Sequence, residues 1–349
     1  MAASFLPSIP LIQAPMAGVS TPELAAAVSN AGALGSIGIG AASPEQAQAM
    51  IRRTRELTDK PFNVNLFCHS PAQRSVAREA AWIARLRPEF TRFAAEPPQS
   101  LNEIYDTFIN NADMLDILLA ERPAIVSFHF GLPDAQALLA LREAGIITLA
   151  CATRVSEAEL IASIGIDAIV AQGIEAGGHR GMFDPQAEDE QLSTRELVKA
   201  IRRATDVPVI AAGGMMDGED MARALDAGAV AVQLGTAFIL CPESAADDGY
   251  RALLTSERAR DTALTSSISG RPARGIVNRL HFTPDPASIA DYPVAYDLTK
   301  ALHRVASKQG CQEYAAHWAG NGVLRARAMP AAKLVATLAH ELRAAQWPR

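Results

Sequence analysis

Short apolar runs alternate with amphipathic helical segments through the first 240 residues of the chain. Most of the runs are near-continuous stretches of valine, isoleucine, alanine and leucine, which is the pattern of parallel strands buried on both faces. Eight strands are predicted in this way, at residues 10–16, 33–37, 62–67, 124–130, 146–152, 167–172, 207–212 and 230–239. Eight β/α units of this length indicate an α/β fold, the (β/α)8 TIM barrel, rather than an open sheet.

Two parts of the chain depart from this alternation. Residues 70–122 are too long for a simple crossover and are predicted to form a helical insertion on the rim of the barrel. From residue 241 to about residue 319, helical segments replace the β/α rhythm, and a last predicted helix then returns to cover the barrel. We therefore predict a barrel domain of residues 1–240 plus about 320–349, and a smaller, mainly helical domain of residues 241–319.

The charge of the chain argues against two classes of partner. Its 349 residues include 38 acidic and 32 basic side chains, which give a formal net charge of −6. This mild acidity offers no attraction to nucleic acid or to an anionic membrane, so we expect neither as a partner. A hydrophobic content of 49% with 20% charged residues is typical of a folded globular protein and excludes a disordered chain.

The N-terminus and the cysteines indicate a cytoplasmic protein. No lysine or arginine precedes Arg52, so the basic start of a secretory signal is missing. No uncharged apolar run reaches the roughly 18 to 20 residues that a membrane span requires. The cysteines are far apart and form no C-x-x-C motif, which is typical of reduced thiols. They are Cys68, Cys151, Cys241 and Cys311.

Glycine-bearing loops follow the seventh and eighth predicted strands. In a TIM barrel the active site lies where the strands end, and these two loops commonly bind phosphate through backbone N–H groups. Here the loops contain Gly213 and Gly214 in one case, and Gly235 and Thr236 in the other. The alternative is that the glycines only form tight turns.

The segment richest in glycine follows the sixth predicted strand, where residues 173–181 include four glycines in nine positions. Glycine loses much conformational entropy on folding, so a glycine-rich loop is costly to order. Such a loop usually allows the backbone to approach a neighbour closely. His179 can act as base or acid near neutral pH, and its position at a strand end favours that role over a structural one. We expect Glu175 and Arg180 to brace the loop. The histidines at positions 69, 281, 303, 317 and 340 are interpreted as structural.

Several catalytic motifs are missing from the sequence. There is no G-x-S-x-G elbow, no H-E-x-x-H and no P-loop. Cys68 and His69 are adjacent, so they point to opposite faces of an extended strand and cannot form a simple dyad. The strand ends Asn65 and Gln172 suit hydrogen bonds to a polar heterocycle better than metal ligation, which favours His, Asp and Glu clusters. No metal site is predicted.

Tyrosines and a lysine recur at helical spacing in the C-terminal region. Tyr292, Tyr296 and Lys300 stand at positions i, i+4 and i+8, which share one face of a helix and would form a polar-tipped pocket wall. The alternative is that the tyrosines pack the smaller domain with their hydroxyls in water. Residues 265–274 are basic and rich in turn-forming residues, and are interpreted as solvated surface rather than as a site for an anionic substrate.

The ordered set of motifs resembles the nitronate monooxygenases, formerly called 2-nitropropane dioxygenases. The similarity extends over nearly the whole chain, and residues 292–300 resemble the class I members of the family. Each segment alone is common in barrels, whereas the ordered set is specific. The segments are 13–18 (QAPMAG), 32–38 (GALGSIG), 62–65 (FNVN), 172–181 (QGIEAGGHRG) and 233–236 (QLGT).

The resemblance implies a barrel that binds FMN non-covalently, with the smaller domain roofing the substrate cavity. It implies His179 as the active-site histidine. The implied FMN contacts, in a nucleotide-binding site, are Ala14, Pro15, Met16, Asn65, Gln172, Gly177, Gly214, Gln233, Leu234, Gly235 and Thr236. The implied substrate contacts are Tyr105, Tyr250, Tyr292, Tyr296 and Lys300.

The activity implied by the resemblance is oxidation of alkyl nitronates such as propionate 3-nitronate by O₂. The products are a carbonyl compound and nitrite, the route passes through a flavin semiquinone, and the role is detoxification in the cytoplasm. The expected partners are a small nitronate and O₂, with a homodimer as a candidate assembly. Two alternatives stay open, an FMN-dependent NADH:quinone or enoyl reductase and a cofactor-free phosphosugar isomerase or lyase. The second normally requires a strand-end lysine or paired carboxylates, and no predicted strand ends in a lysine.

Overall fold

Eight parallel strands form a closed barrel in the computed structural model, which describes residues 6–281 and 288–346. Eight of the eleven strands in the described residues belong to this barrel, and β7, β10 and β11 form a second sheet. In chain order, the eleven strands are β1 (Leu11–Gln13), β2 (Gly35–Gly38), β3 (Phe62–Phe67), β4 (Ile125–His129), β5 (Ile147–Ala152), β6 (Ala168–Gln172), β7 (Gly178–His179), β8 (Val209–Ala212), β9 (Ala231–Leu234), β10 (Thr262–Thr265) and β11 (Ala273–Ile276). The barrel order is β1-β9-β8-β6-β5-β4-β3-β2. A parallel bridge between Ile12 and Leu34 joins β1 to the start of β2 and closes the ring. The predicted TIM barrel is confirmed.

Two predicted strands are longer than the observed ones. The first predicted strand, at residues 10–16, contains β1, which ends at Gln13; Pro15, just beyond it, has no N–H to donate to a neighbouring strand. The last, at residues 230–239, contains β9, which ends at Leu234. Gly235 then turns the chain into a short helix at Thr236–Ile239. Both differences place loop backbone at the carboxyl end of the barrel.

Helices surround the barrel. They are α1 (Pro22–Asn30), α2 (Pro44–Leu57), α3 (Val76–Thr91), α4 (Ala112–Glu121), α5 (Ala135–Glu143), α6 (Val155–Ser163), α7 (Thr194–Ala204), α8 (Gly218–Asp226), α9 (Thr236–Ile239), α10 (Asp248–Leu254), α11 (Val294–Ser307) and α12 (Ala331–Gln346). Capping boxes start two of them, at Ser43 for α2 and at Ser193 for α7. In each box the serine hydroxyl and a side chain three residues later satisfy backbone N–H groups that a helix start leaves free. The last helix, α12, packs against α8 and α1.

The region of the predicted insertion contains two helices that pack differently. Helix α4 contacts α2 and α5 and so belongs to the ring of helices around the barrel. Helix α3 contacts α11 instead. Its buried Trp82 and Phe90 share a hydrophobic cluster with Leu298 and Leu302 of α11. Burying such side chains contributes about 1.5 to 3 kcal/mol each, so this cluster ties α3 firmly to α11.

A small antiparallel sheet, which the sequence did not predict, lies outside the barrel. Its strand order is β10-β11-β7. The pairing places His179 opposite Ala273 and Gly178 opposite Arg274. His179 is therefore held by β11, which comes from the predicted smaller domain, as well as by the loop after β6. The boundaries of the two predicted domains stay a prediction, and their ends at residues 1 and 349 lie outside the described residues. No helix in the described ranges is both long enough and apolar enough to cross a membrane.

Candidate active site

A cavity of about 370 Å³ lies at the carboxyl ends of the barrel strands. Its size is within the range of small-molecule and cofactor sites. Sixteen of the seventeen predicted site residues line it, and Lys300 is the exception. The sixteen are Ala14, Pro15, Met16, Asn65, Tyr105, Gln172, Gly177, His179, Gly214, Gln233, Leu234, Gly235, Thr236, Tyr250, Tyr292 and Tyr296.

Glycine is required at two places in the cavity wall. Gly214 has a φ of +70°, in the left-handed region that side chains disfavour. At Gly177 a Cβ atom would lie 2.4 Å from the backbone nitrogen of Gly320. The first glycine shapes the loop after β8, and the second allows the segment near residue 320 to close against the loop after β6.

Gln172 and Arg180 hold the loop that carries His179. The Gln172 amide donates to the carbonyl oxygen of His179 (2.9 Å) and its oxygen accepts from the N–H of Gly181 (2.8 Å). Buried Arg180 donates to the carbonyl oxygens of Gln172 (2.8 Å) and Gly173 (3.0 Å). It also forms an ion pair with Asp189. Since both ends of its amide are engaged, Gln172 serves as a brace in this structure.

Glu175 braces the same loop, as the sequence predicts. Its carboxylate accepts from the backbone N–H (2.9 Å) and the hydroxyl (3.0 Å) of Thr194. Thr194 begins α7, so the helix start and the loop after β6 are joined.

The His179 ring is surrounded by aromatic side chains. Its centroid lies 5.2 Å from Trp318, 5.5 Å from Phe130 and 5.6 Å from Tyr292. Its Nε2 is 2.8 Å from the hydroxyl oxygen of Ser269. With Nε2 engaged, Nδ1 is the ring nitrogen that remains for a ligand in the cavity.

The surroundings of His179 favour the neutral imidazole. Burial, together with smaller effects of the neighbouring His129, Arg271 and His69 in that order, lowers its pKa to about 3. Burial likewise lowers the pKa of His129 to about 4, and the carbonyl of His179, which pairs with its ring, opposes the shift. At neutral pH both rings are therefore uncharged and can donate at one nitrogen and accept at the other.

Acidification from pH 7.5 to pH 5 is expected to destabilise the protein, because four histidines fold in the neutral form. Burial lowers the pKa of His69, His129 and His317 to about 4 and that of His179 to about 3, from 6.5. Below pH 6.5 the unfolded chain binds protons that the folded chain does not, so the free energy of unfolding falls as the pH falls. Each unit of pKa difference corresponds to about 1.4 kcal/mol, so a loss of several kcal/mol is expected in total.

Urea unfolding of the purified protein at pH 7.5, 6.5, 5.5 and 5.0 measures this loss. His317→Asn should reduce the pH dependence, whereas His340→Asn, at an exposed position, should leave it unchanged. Equal stability at pH 7.5 and 5.0 would contradict the prediction.

The predicted tyrosine stripe is correct for two of its three members. Helix α11 starts at Val294, so Tyr296 and Lys300 share one of its faces, but Tyr292 precedes the helix. Pro293 forms the helix start and follows a cis peptide bond. Tyr292 still reaches the cavity, where its ring lies 6.4 Å from that of Tyr105.

The tyrosine hydroxyls of the cavity stay protonated at neutral pH. Burial raises the pKa of Tyr296 to about 12 and raises the pKa of Tyr105, Tyr250 and Tyr292 further. Tyr250 donates to the carbonyl oxygen of Trp318. The buried hydroxyl of Tyr292 has no hydrogen-bond partner among the described residues. A buried hydroxyl without a partner costs about 1 to 3 kcal/mol, so a ligand that accepts from it would gain affinity.

Lys300 borders a second, smaller chamber of about 170 Å³. Four residues line both spaces and so form the wall between them, namely Asp247, Tyr250, Tyr296 and Ala316. The Lys300 ammonium lies 4.9 Å from the ring centroid of Tyr105 and 5.0 Å from that of Tyr296. Partial desolvation lowers the pKa of Lys300. The charge therefore lies behind the tyrosine wall rather than inside the larger cavity.

Three of the lining residues that the site prediction missed lie beside His179. His129 ends β4 and Phe130 follows it, so the strand-end rule already pointed to them, but the family motifs did not include them. Trp318 comes from the C-terminal region, and nothing in its local sequence indicates a site.

The interpretation of residues 265–274 as solvated surface is wrong. Ser269 is 0% exposed and Arg271 is 3% exposed. Arg271 donates to the carbonyl oxygens of Met182 and Phe183, and its guanidinium lies 4.5 Å from the ring centroid of Phe130. These contacts join the segment to the loop that carries His179. Across the described ranges, no group of three or more His, Cys, Asp or Glu side chains is arranged to hold a metal ion.

Comparisons with known proteins give the family. A family model described as nitronate monooxygenase matches residues 2–341. The chain is 54% identical to a nitronate monooxygenase of Pseudomonas aeruginosa, covering 96% of each chain. It is 53% identical to one of Paraburkholderia phytofirmans, covering 96% of this chain and 92% of that one.

Two solved structures share the fold along nearly the whole chain. A nitroalkane oxidase from Streptomyces ansochromogenes is 39% identical and superposes with a TM-score of 0.91, over 99% of each chain. FabK from Thermotoga maritima is 28% identical with a TM-score of 0.73, over 97% of this chain and 94% of that one. The chain is an enzyme that belongs to the nitronate monooxygenase family.

Proposed function

We propose that this enzyme oxidises alkyl nitronates, such as propionate 3-nitronate, with O₂ and FMN to a carbonyl compound and nitrite. The observation that carries the proposal is the convergence of two glycine loops, His179 and four tyrosines on one cavity at the carboxyl end of the barrel. The family relationship supports oxidation of nitronates. The finer points, which are the FMN, the O₂ and the products, rest on the resemblance of the sequence motifs.

The cavity suits a flavin mononucleotide. Gly213, Gly214 and Gly235 present backbone without side chains at the ends of β8 and β9, where a phosphate could accept from N–H groups. Asn65 lies on the same wall and donates to the hydroxyl and carbonyl oxygens of Ser127, so its own oxygen remains free to accept from a ring edge. The predicted contacts at Ala14, Pro15 and Met16 line the cavity as loop backbone after β1. When bound, FMN would supply the electron acceptor for the nitronate.

The chain itself supplies binding and orientation for an anion. A nitronate carries its negative charge on two oxygens, which accept hydrogen bonds. Neutral His179 and the Tyr292 hydroxyl can donate to them, and hydrogen bonds to a charged acceptor are stronger than neutral ones. The aromatic wall of Phe130, Tyr292 and Trp318 limits the access of water, which strengthens these interactions.

A substrate carboxylate would be recognised at the tyrosine wall. Lys300 lies directly behind Tyr105 and Tyr296 and carries a positive charge. Tyr250 and Tyr296 border both chambers, so a carboxylate between them could interact with Lys300 while the nitronate end occupies the larger cavity. This arrangement supports a preference for nitronates that also carry a carboxylate.

We also propose that the enzyme is cytoplasmic and has a role in detoxification. The four cysteines are free thiols, three of them buried, which fits a reducing compartment. The predicted homodimer stays a prediction.

Purified protein is expected to show the absorption spectrum of an oxidised flavin, and heating should release FMN rather than FAD. Anaerobic mixing with propionate 3-nitronate should change the flavin spectrum rapidly, and admission of O₂ should restore it. Anaerobic mixing with NADH is the control, and a slow change or none is expected. Rapid bleaching by NADH without a response to nitronate would favour the reductase alternative, and colourless protein that binds no added FMN would refute the cofactor.

A further inference from the structure

Arg271 is a buried cation without an anionic partner. It is 3% exposed, and in the described part of the chain no carboxylate lies within ion-pair distance of its guanidinium. Its Nη2 donates to the carbonyl oxygens of Met182 and Phe183, whereas its Nε has no hydrogen-bond partner among the described residues. Burial lowers the pKa of Arg271 only to about 10, so the guanidinium is charged at neutral pH. A buried charge is costly unless an opposite charge compensates it.

Three carboxylates at longer range raise the pKa of Arg271 and so compensate its charge in part. Glu157 already forms an ion pair with Arg154. Asp184 is exposed, so water screens its charge. Asp291 is half-buried and already accepts from two backbone N–H groups. A positive field from the guanidinium therefore remains on its other side.

The guanidinium lies against two side chains of the cavity wall. It is 4.5 Å from the ring centroid of Phe130 and 5.8 Å from that of Tyr292, and both residues line the larger cavity. Buried aromatic rings screen a charge much less than water does. Burial is the main cause of the low pKa of His179 and His129, and the charge of Arg271 contributes in the same direction at both rings. The positive field therefore reaches the cavity beside His179.

The side chains around His179 add no charge of their own at neutral pH. His129 and His179 are neutral, and burial keeps the Tyr292 hydroxyl protonated. Among the described residues that line the larger cavity, only Asp247 is charged. It is exposed to solvent and is not one of the groups that shift the pKa of His179. A ligand beside His179 therefore meets mainly the charge of Arg271.

We propose that Arg271 determines the specificity of the larger cavity by supplying the counter-charge for an anion bound beside His179. It acts through Phe130 and Tyr292 and favours an anionic ligand over a neutral one of the same shape. Two unit charges about 8 Å apart, at an effective dielectric constant of about 20, favour the anion by about 10- to 30-fold in affinity. Applied to the enzyme, this means that nitronates bind in preference to neutral nitroalkanes, and this part rests on the proposed function.

Acetate and acetamide form a matched pair of ligands for the test, because they share a shape and differ in charge. Calorimetry with the purified holoenzyme at pH 7.5 and low ionic strength measures both affinities without turnover. We expect the wild type to prefer acetate. Arg271→Met and Arg271→Gln should bind acetate about 10- to 30-fold more weakly and acetamide equally well. Repeating the comparison in Lys300→Met separates this site from the chamber beside Lys300.

Two further variants distinguish the charge of Arg271 from its role as a brace. Arg271→Lys should keep most of the preference at pH 7.5 and lose it as the pH rises, because a buried lysine deprotonates where an arginine does not. This result does not depend on the folding of a neutral variant. Arg274→Met is the matched control, since Arg274 also donates to a carbonyl of the loop that carries His179, that of Ile174, but does not shift the pKa of His179. It should leave the preference unchanged.

The kinetic counterpart uses ethyl nitronate and nitroethane. Arg271→Met should raise KM for the nitronate by about 10- to 30-fold with a smaller change in kcat, and should leave KM for nitroethane unchanged. Equal affinity of the wild type for acetate and acetamide, an unchanged preference in the neutral variants, or an equal loss in Arg274→Met would overturn the proposal. If the preference depends on Arg271 but the wild type oxidises no nitronate, the proposed function fails and the anion site stands.

Discussion

Replacing His179 with asparagine is expected to lower the turnover of neutral nitroalkanes by about 10²- to 10⁴-fold. Oxidation of a neutral nitroalkane begins with removal of its α-proton, and positioned general bases contribute effects of this size. An amide has no basic nitrogen, whereas the imidazole of His179 is neutral at working pH and can accept a proton. Its low pKa makes His179 a weak base in the empty cavity. We therefore expect the wild-type enzyme to turn over neutral nitroalkanes slowly.

The same variant should affect nitronates less, because their proton is already gone and asparagine keeps an N–H donor of similar reach. Steady-state kinetics with nitroethane and with ethyl nitronate, on enzyme of matched flavin content, separates the two effects. His340→Asn, at an exposed position on α12, is the matched control and should change neither rate. Unchanged turnover of both substrate forms in His179→Asn would show that the ring has only a structural role.

The barrel strands were predictable because the physical cause of each is local. A parallel strand covered on both faces has to be apolar at nearly every position, and β6 (AIVAQ) shows this pattern up to its last residue. The positions of the glycine loops then follow from the rule that barrel sites lie at strand ends. This is why the family motifs converge on one cavity.

The small sheet and the buried segment behind it could not be predicted in the same way. Strand β7 has two residues, too few for any periodicity, and exists because β11 pairs with it from about 95 residues further along the chain. Arg271 has the composition of a surface residue, and its burial depends on the carbonyl oxygens of Met182 and Phe183. Such contacts between distant segments leave no pattern in the local sequence.

The prediction that Tyr292, Tyr296 and Lys300 share one helix face is wrong for Tyr292, and the reason is local. The spacing of four residues places side chains on one face only within a continuous helix, and Pro293 marks a helix start rather than a helix interior. The sequence did contain this signal. The separate chamber behind Tyr250 and Tyr296, in contrast, depends on the packing of several helices and loops.

Replacing Lys300 with methionine is expected to lower kcat/KM for propionate 3-nitronate by about ten- to a hundredfold. One charge-assisted hydrogen bond corresponds to about 1.5 to 3 kcal/mol, which gives a factor of this size. Methionine keeps much of the apolar stem, so the packing against Tyr105 and Tyr296 should change little. The uncharged ethyl nitronate should lose little, because it has no carboxylate for Lys300 to bind.

The matched control is Arg304→Met, which removes a neighbouring positive charge one turn further along α11 without touching the chamber wall. If recognition is local to Lys300, Arg304→Met should keep the ratio of kcat/KM between propionate 3-nitronate and ethyl nitronate, and Lys300→Met should lower it. The ratio should also fall in the wild type as ionic strength rises, because Lys300 is exposed to solvent and salt screens its charge. Equal losses for both nitronates in Lys300→Met would refute carboxylate recognition. If the ratio is unchanged in all variants, Lys300 only packs against the rings of Tyr105 and Tyr296. Each of these two cation–π contacts would then contribute about 0.5 to 1 kcal/mol to the stability of the fold.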